Sequence, residues 1–154
     1  MLSNHKVVLM PLTVKQAESF YQLYANKQVV KNHEEEVIYT DETSRTFTER
    51  IIAACNNIWT VRAAESPELI IGDCALHDYD PETRTIEIGG SLLPEYWGKG
   101  YMQSAFSLAI AFAQENYSVT TIVAKTTTTN NKAIRFAEKF GFHLSDDAIF
   151  YLKL

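Results

Sequence analysis

The stretch from Thr85 to Phe112, TIEIGGSLLPEYWGKGYMQSAFSLAIAF, constrains the fold more than any other. Thr85, Ile86 and Ile88 suit a pleated surface. Gly89 and Gly90 weaken pairing there and predict a bulge or a close backbone approach. Pro94 ends the strand, and Trp97-Gly98-Lys99-Gly100-Tyr101 turns into a helix. Along that helix Met102, Ala105, Phe106, Ala109, Phe112 and Ala113 recur at i, i+3, i+4, i+7 spacing, which marks one buried face.

A glycine turn opening a helix directs several backbone N–H groups one way, with the positive end of the helix dipole behind them. Such a turn suits an anion, usually phosphate. Two familiar glycine loops do not fit. A P-loop needs Ser or Thr after Gly-Lys and a glycine six residues before that lysine, whereas here Gly100 follows Lys99 and Leu93 holds the other place. A dinucleotide fingerprint needs a third glycine where Gln103 stands. A plain surface turn remains open on this stretch alone.

A second informative run is Asn130-Asn131-Lys132-Ala133-Ile134-Arg135-Phe136-Ala137-Glu138-Lys139-Phe140-Gly141-Phe142. It predicts a helix capped by Asn130, with Ala133, Ile134 and Ala137 packing and Gly141 closing it.

Together the two runs resemble the GNAT superfamily of N-acetyltransferases. Trp97 to Met102 matches its acetyl-CoA loop, Gln/Arg-x-x-Gly-x-Gly/Ala, reached from Glu87-Ile88-Gly89. The second run matches its Asn-x-x-Ala helix closed by Glu-Lys-x-Gly-Phe. Trp97 stands in place of Gln/Arg, and Met102 in place of a small residue. PEYWGKGY looks closest to the ribosomal-protein N-terminal acetyltransferases (RimJ/RimL-like), with spermidine acetyltransferases slightly further off.

The resemblance implies an α/β (α+β) fold: a mixed, mostly antiparallel sheet flanked by about four helices, one domain over residues 1–154. It also implies acetyl-CoA as co-substrate, with the pyrophosphate held by Trp97, Gly98, Lys99, Gly100, Tyr101 and Met102. Leu92 and Leu93 would pair with pantetheine, and Asn130 would bond it or help hold the strands apart. Backbone N–H groups around Ser91 would stabilise the oxyanion, and Glu87 is the candidate general base. The tyrosine that many members use as general acid is here Ala137. No metal is expected.

The remaining chain supplies elements in the order β-α-α-β-β-β-α-β-α-β. Lys6 to Met10 predicts a first strand. Thr13 with Gln16 forms a capping-box pattern before a helix burying Ala17, Phe20, Tyr21 and Tyr24. Asn26 to Asp41 predicts a short helix and then a loop. A second helix follows over about 41–56, with Thr46 and Glu49 as its capping pair. Strands follow at 58–63 and 69–77, the latter with a bulge at Gly72, then a turn at 80–83. Thr120 to Lys125 predicts another strand, and one or two closing strands follow Phe142.

A length of 154 residues fits one domain. Net charge is −5 with no basic block, which argues against nonspecific nucleic-acid binding. No apolar run approaches the ~18 residues of a membrane span. MLSNHKVVLMPL has no cleavage pattern, so a cytoplasmic protein is expected. Cys55 and Cys74 lack metal-ligand spacing and predict buried thiols. His33, His77 and His143 could each be proposed as a base, and nothing in their spacing selects one. The expected partners are acetyl-CoA and an amine acceptor, with homodimerisation open. A peptide or protein α-amine is favoured as acceptor over a polyamine. Glu34, Glu35 and Glu36, in the segment that commonly borders the acceptor cleft, would attract either cation. A CoA-binding regulatory module with lost catalysis, and a purely structural subunit, are the competing readings.

Overall fold

The computed structural model describes residues 1–33, 35–145 and 149–154. Eight strands form one sheet in the order β1-β2-β3-β4-β5-β6-β8-β7. They are β1 (Leu2–Ser3), β2 (Val7–Pro11), β3 (Asn57–Ala63), β4 (Gly72–Asp80), β5 (Thr85–Leu92), β6 (Thr121–Ala124), β7 (His143–Leu144) and β8 (Phe150–Lys153). Every pairing is antiparallel except β5 with β6. Four α-helices complete the fold: α1 (Ala17–Ala25), α2 (Ser44–Ala54), α3 (Tyr101–Tyr117) and α4 (Asn131–Phe140). This is the mixed, mostly antiparallel α+β architecture expected, with short β1 and β7 added at the ends of the sheet.

The sheet separates two apolar layers. On one face Val61, Leu76, Ile86, Ile88 and Ile122 pack with Ala105, Phe106, Ala109 and Ala137 of α3 and α4. On the other, Ile58 packs with Phe20 and Leu23 of α1 and Phe47 of α2. Strand alternation therefore sends Glu87, Gly89 and Ser91 toward the α1–α2 side. Ala105, Ala109 and Ala113, four residues apart, have no solvent exposure. Their small side chains let α3 lie close on the sheet.

Local chemistry explains the helix ends. Thr13 and Gln16 form the expected capping box around a single 3-10 turn that runs into α1. The box before α2 falls one turn earlier than expected: Thr43 caps, and Thr46 reciprocates from the third helical position. A threonine hydroxyl can serve there as glutamate does. Arg50 then grips Glu42 through two bonds of 2.8 and 2.7 Å and the Val37 carbonyl at 2.7 Å. This pairing holds the Glu42 carboxyl down at about 2. The helix expected between Asn26 and Asp41 does not form; the described residues there make turns, with the Asn26 side chain accepting the Gln28 N–H. That side-chain acceptor competes with helical bonding.

Of the two strands at the centre, one meets expectation and the other differs. β5 runs without a bulge to Leu92, and Gly90 is the close approach expected: a Cβ there would lie 2.7 Å from the Asp73 carbonyl oxygen. Gly72 is not a bulge but a close approach: a Cβ there would lie 2.1 Å from the Ser91 carbonyl oxygen. The register shift falls instead between His77 and Asp80, where Asp78 takes a positive φ of 53°. Asp tolerates that left-handed conformation better than most residues. Gly141 ends α4 at φ 115°, as expected.

The alanine stripe makes a direct prediction. Ala109→Leu should lower stability by about 1–3 kcal/mol through overpacking. Urea unfolding of the variant checks it, and an unchanged midpoint would mean that α3 is not seated by this stripe.

Candidate active site

β5 pairs with β4 continuously from Glu87 with His77 to Leu92 with Gly72, and again at Thr85 with Asp80 beyond the register shift. With β6 it pairs only from Thr85 to Glu87. Beyond Glu87 the two parallel strands part, and the outer edge of Ile88–Leu92 has no strand partner among the described residues. Exposed backbone donors and acceptors on such an edge can bind an extended ligand as an added strand.

The glycine loop stands beside this gap. Gly98 and Gly100 have φ of 71° and 85°, a region costly for side chains. A Cβ on Gly98 would meet nothing within 4 Å, and one on Gly100 only Lys6, at 3.6 Å from its Nζ. Gly100 caps α3 without a side-chain hydrogen bond, so no capping side chain takes up the first-turn N–H groups of that helix. Lys6 Nζ also lies 4.9 Å from the centre of the Tyr101 ring. Two left-handed glycines, a helix N-terminus and an ammonium suit a diphosphate.

The other predicted cofactor residues lie around the same loop. Trp97 donates its indole N–H to the Leu92 carbonyl at 2.8 Å, which occupies one acceptor on the open edge. Lys132 sits over the Trp97 ring at 4.6 Å. Met102 lies against Gly90, where a Cβ would be 3.0 Å from its methyl carbon and 2.7 Å from the Asp73 carbonyl oxygen. Lys99 is exposed. The Tyr101 hydroxyl donates to Glu65 at 2.8 Å. Asn130 caps α4 by accepting the Ala133 N–H at 3.2 Å. Trp97, Asn130, Lys132 and Arg135 line an open cleft of about 450 Å³ that Lys31 also borders.

Leu93 turns away from the gap, giving its N–H to Ile71 at 2.8 Å. Ser91 likewise gives its N–H to Asp73, at 2.9 Å from Oδ1. The other Asp73 oxygen accepts the Tyr24 hydroxyl at 2.6 Å, and that hydroxyl is 3.5 Å from Ser91 Oγ. Asp73 is 2 % exposed. Burial pushes its carboxyl up to about 6 despite these two donors. Burial and the adjoining carboxylate push the Tyr24 hydroxyl well above its usual range. This three-residue link from α1 to the open part of β5 was not legible in the sequence.

Glu87 is largely buried and has company. Lys125 Nζ lies 3.3 Å from Oε2, and His77 Nε2 lies 3.9 Å from Oε1. His77 Nδ1 is 2.9 Å from Asp78. His77, Asp78 and Glu87 have ligand-type atoms within 4.8 Å of one another, the one such group among the described residues. The two carboxylates meet opposite ring nitrogens, and Lys125 already neutralises Glu87, so the group suits proton passage better than an ion. His5, His33 and His143 are exposed. Cys55 is half-buried and Cys74 buried. Burial, with Asp73 and Asp78 nearby, lifts the Cys55 thiol to about 11. Both cysteines therefore stay protonated, as poor nucleophiles.

A family model described as acetyltransferase (GNAT) domain matches residues 6–143. The chain belongs to the GNAT acetyltransferase family. It is an acetyl-CoA-dependent N-acetyltransferase. Among solved structures it is similar to spermidine N-acetyltransferase from Vibrio cholerae, in complex with CoA and spermine, at 20 % identity and a TM-score of 0.78. That match covers 97 % of this chain and 96 % of the other. A protein assigned as a ribosomal-protein-serine acetyltransferase of Vibrio cholerae matches at 16 % identity and a TM-score of 0.80, covering 100 % and 98 %. The microcin C7 self-immunity acetyltransferase MccE, in complex with acetyl-CoA and AMP, matches at 19 % identity and 0.78, covering 98 % and 94 %. Identities this low carry the fold alone.

The loop and the Asp73 link each predict a measurable effect. Gly100→Val should raise the acetyl-CoA KM at least tenfold, because a β-branched residue resists φ of 85° and narrows the approach. Unchanged CoA affinity by calorimetry in the folded variant would remove the loop from the cofactor site. Asp73, raised to about 6, holds its proton in the folded chain where the unfolded chain has released it. Stability should therefore fall as pH rises from about 4 to 6, by a few kcal/mol in all. Asp73→Asn should flatten that slope and leave the protein no less stable at pH 7. Thermal melts across the range check this; an unaltered slope would refute it.

Proposed function

We propose that this acetyltransferase moves the acetyl group directly to a primary amine, with a peptide or protein α-amine as first acceptor and a polyamine second. The observation that carries the site assignment is the parting of β5 from β6 beside the Gly98–Gly100 loop. Acetyl-CoA supplies an activated thioester when bound. The residues suited to hold it are the loop glycines and Lys6 for the diphosphate, and the open edge of β5 for the pantetheine.

The chain's own task is to deprotonate and align the amine. An alkylammonium with pKa about 10.4, or an α-ammonium near 8, must lose a proton before attack. Glu87 is the proposed base, since it lies just before the open segment on the α1–α2 face. With Ala137 buried at the usual acid position, no tyrosine of α4 protonates the departing sulfur. A thiolate whose conjugate acid has pKa near ~8.5 leaves tolerably without one.

The acceptor order draws on the charge of the cleft. Lys31, Lys132 and Arg135 border it, and no carboxylate does among the described residues. Repulsion between these cations and a polyamine exceeds that for a peptide with one amine. Glu35 and Glu36 are exposed and outside this lining, and Glu34 lies outside the described residues. Glu35 and Glu36 therefore lend the polyamine reading no support.

CoA release with a short N-terminal peptide, set against spermidine at equal concentration, tests the order. The peptide should show the higher kcat/KM by roughly tenfold, about 1.4 kcal/mol. A tenfold preference for spermidine would reverse the order. CoA binding without turnover of either amine would favour a regulatory CoA-binding module.

A further inference from the structure

We propose that His77 is a positioning and proton-relay residue, carrying the proton taken by Glu87 outward to Asp78 and solvent. The inference rests on Glu87 being the base. Glu87 and His77 are cross-strand partners on β5 and β4, with side chains on the same face. The ring lies beside Gly89: a Cβ there would meet only His77 Nε2 within 4 Å, at 3.9 Å. The imidazole thus lies over the strand between the base and the segment where β5 opens.

Its two nitrogens face different groups. Nε2 is 3.9 Å from Glu87 Oε1, and Nδ1 is 2.9 Å from Asp78 Oδ2. A side-chain adjustment of about 1 Å closes the first distance to a hydrogen bond. Glu87 is largely enclosed, with a side-chain exposure of 13 %, whereas Asp78 is 74 % exposed. A base so enclosed must return its proton to water before the next turnover. Lys125, the other charged group on Glu87, presents only donors as an ammonium and cannot accept that proton. The half-buried Cys55 thiol stays protonated and does not compete.

The step balances. The C–N bond forms and the C–S bond breaks; the ammonium gives one proton to Glu87, and its second proton goes with the departing sulfur. Glu87 passes it to Nε2, and the Nδ1 proton leaves to Asp78 and then to water or buffer. The net change is one proton moved from the amine to solvent, and a tautomer exchange or ring turn resets His77. The left-handed conformation of Asp78 and the register shift beside it aim its carboxylate at the ring.

His77→Gln, Asp78→Asn and Glu87→Gln should be assayed side by side in dilute buffer. His77→Gln should lower kcat roughly tenfold or more with an unchanged acetyl-CoA KM. Added imidazole, or more buffer, should restore much of the loss, which a packing defect would not allow. Asp78→Asn should show a smaller, equally rescuable loss, and its exposed site guards against misfolding. A loss that no buffer rescues in either variant, or no loss in both, overturns the relay. Wild-type kinetics for Glu87→Gln overturn the base assignment itself, and the relay falls with it. An impaired Glu87→Gln beside an unimpaired His77→Gln leaves the base standing and removes only the relay.

Discussion

A strand paired along one edge and left open along the other is the constraint on which this molecule depends. Unpaired backbone groups are expensive when buried and an invitation to mispairing when exposed. β5 tolerates the condition because its other edge is paired with β4 along the whole open segment. Its inward side chains, Ile86, Ile88 and Leu92, are buried under α3. The parallel neighbour β6 is only four residues long and is held instead by β8 along its whole length. The gap is therefore a product of strand lengths and helix seating rather than of a weak strand.

What surrounds the gap is arranged to keep it open. Trp97 satisfies the Leu92 carbonyl at the far end, so that group does not demand a strand partner. Met102 fills the space that the absent side chain of Gly90 leaves, which ties the first turn of α3 to β5. On the opposite face, Asp73 holds the Ser91 N–H and the Tyr24 hydroxyl, which ties α1 to β5. The glycine pair in β5 has two different neighbours: His77 lies beside Gly89, and Gly90 makes room for Met102.

The sequence disclosed those parts of this arrangement that are local. Capping at Thr13 and Asn130, the Gly141 stop, the α3 stripe and the Gly98–Gly100 turn each depend on a few neighbouring residues, and each forms. The open choices and the errors fell where distant contacts decide. Gly89 and Gly90 read as a bulge or a close approach, and only the Asp73 carbonyl across the sheet from Gly90 decides between the two. Gly72 read as a bulge, although its glycine answers the Ser91 carbonyl across the sheet. Asn26 to Asp41 read as partly helical, while the Arg50 grip on Glu42 and Val37 that organises its end comes from α2. Lys6, Tyr24, Asp73 and His77 reach the site from the residue before β2, from α1 and from β4, and no spacing rule joins them.

Asp73 shows why such residues escape pattern reading. A carboxylate near the start of β4 breaks no alternation rule, since its face of the strand is the less apolar one. Its cost emerges only when α1 and β5 enclose it with two neutral donors and no cation in hydrogen-bond contact. Burial of that kind opposes folding near neutral pH, and an apolar or amide residue would avoid it. The penalty is concentrated beside the open segment of β5, where Ser91 must be held at one orientation. A charged acceptor aligns an N–H more strongly than a neutral one does. Stability and site geometry thus pull in opposite directions at Asp73, and the fold keeps the geometry.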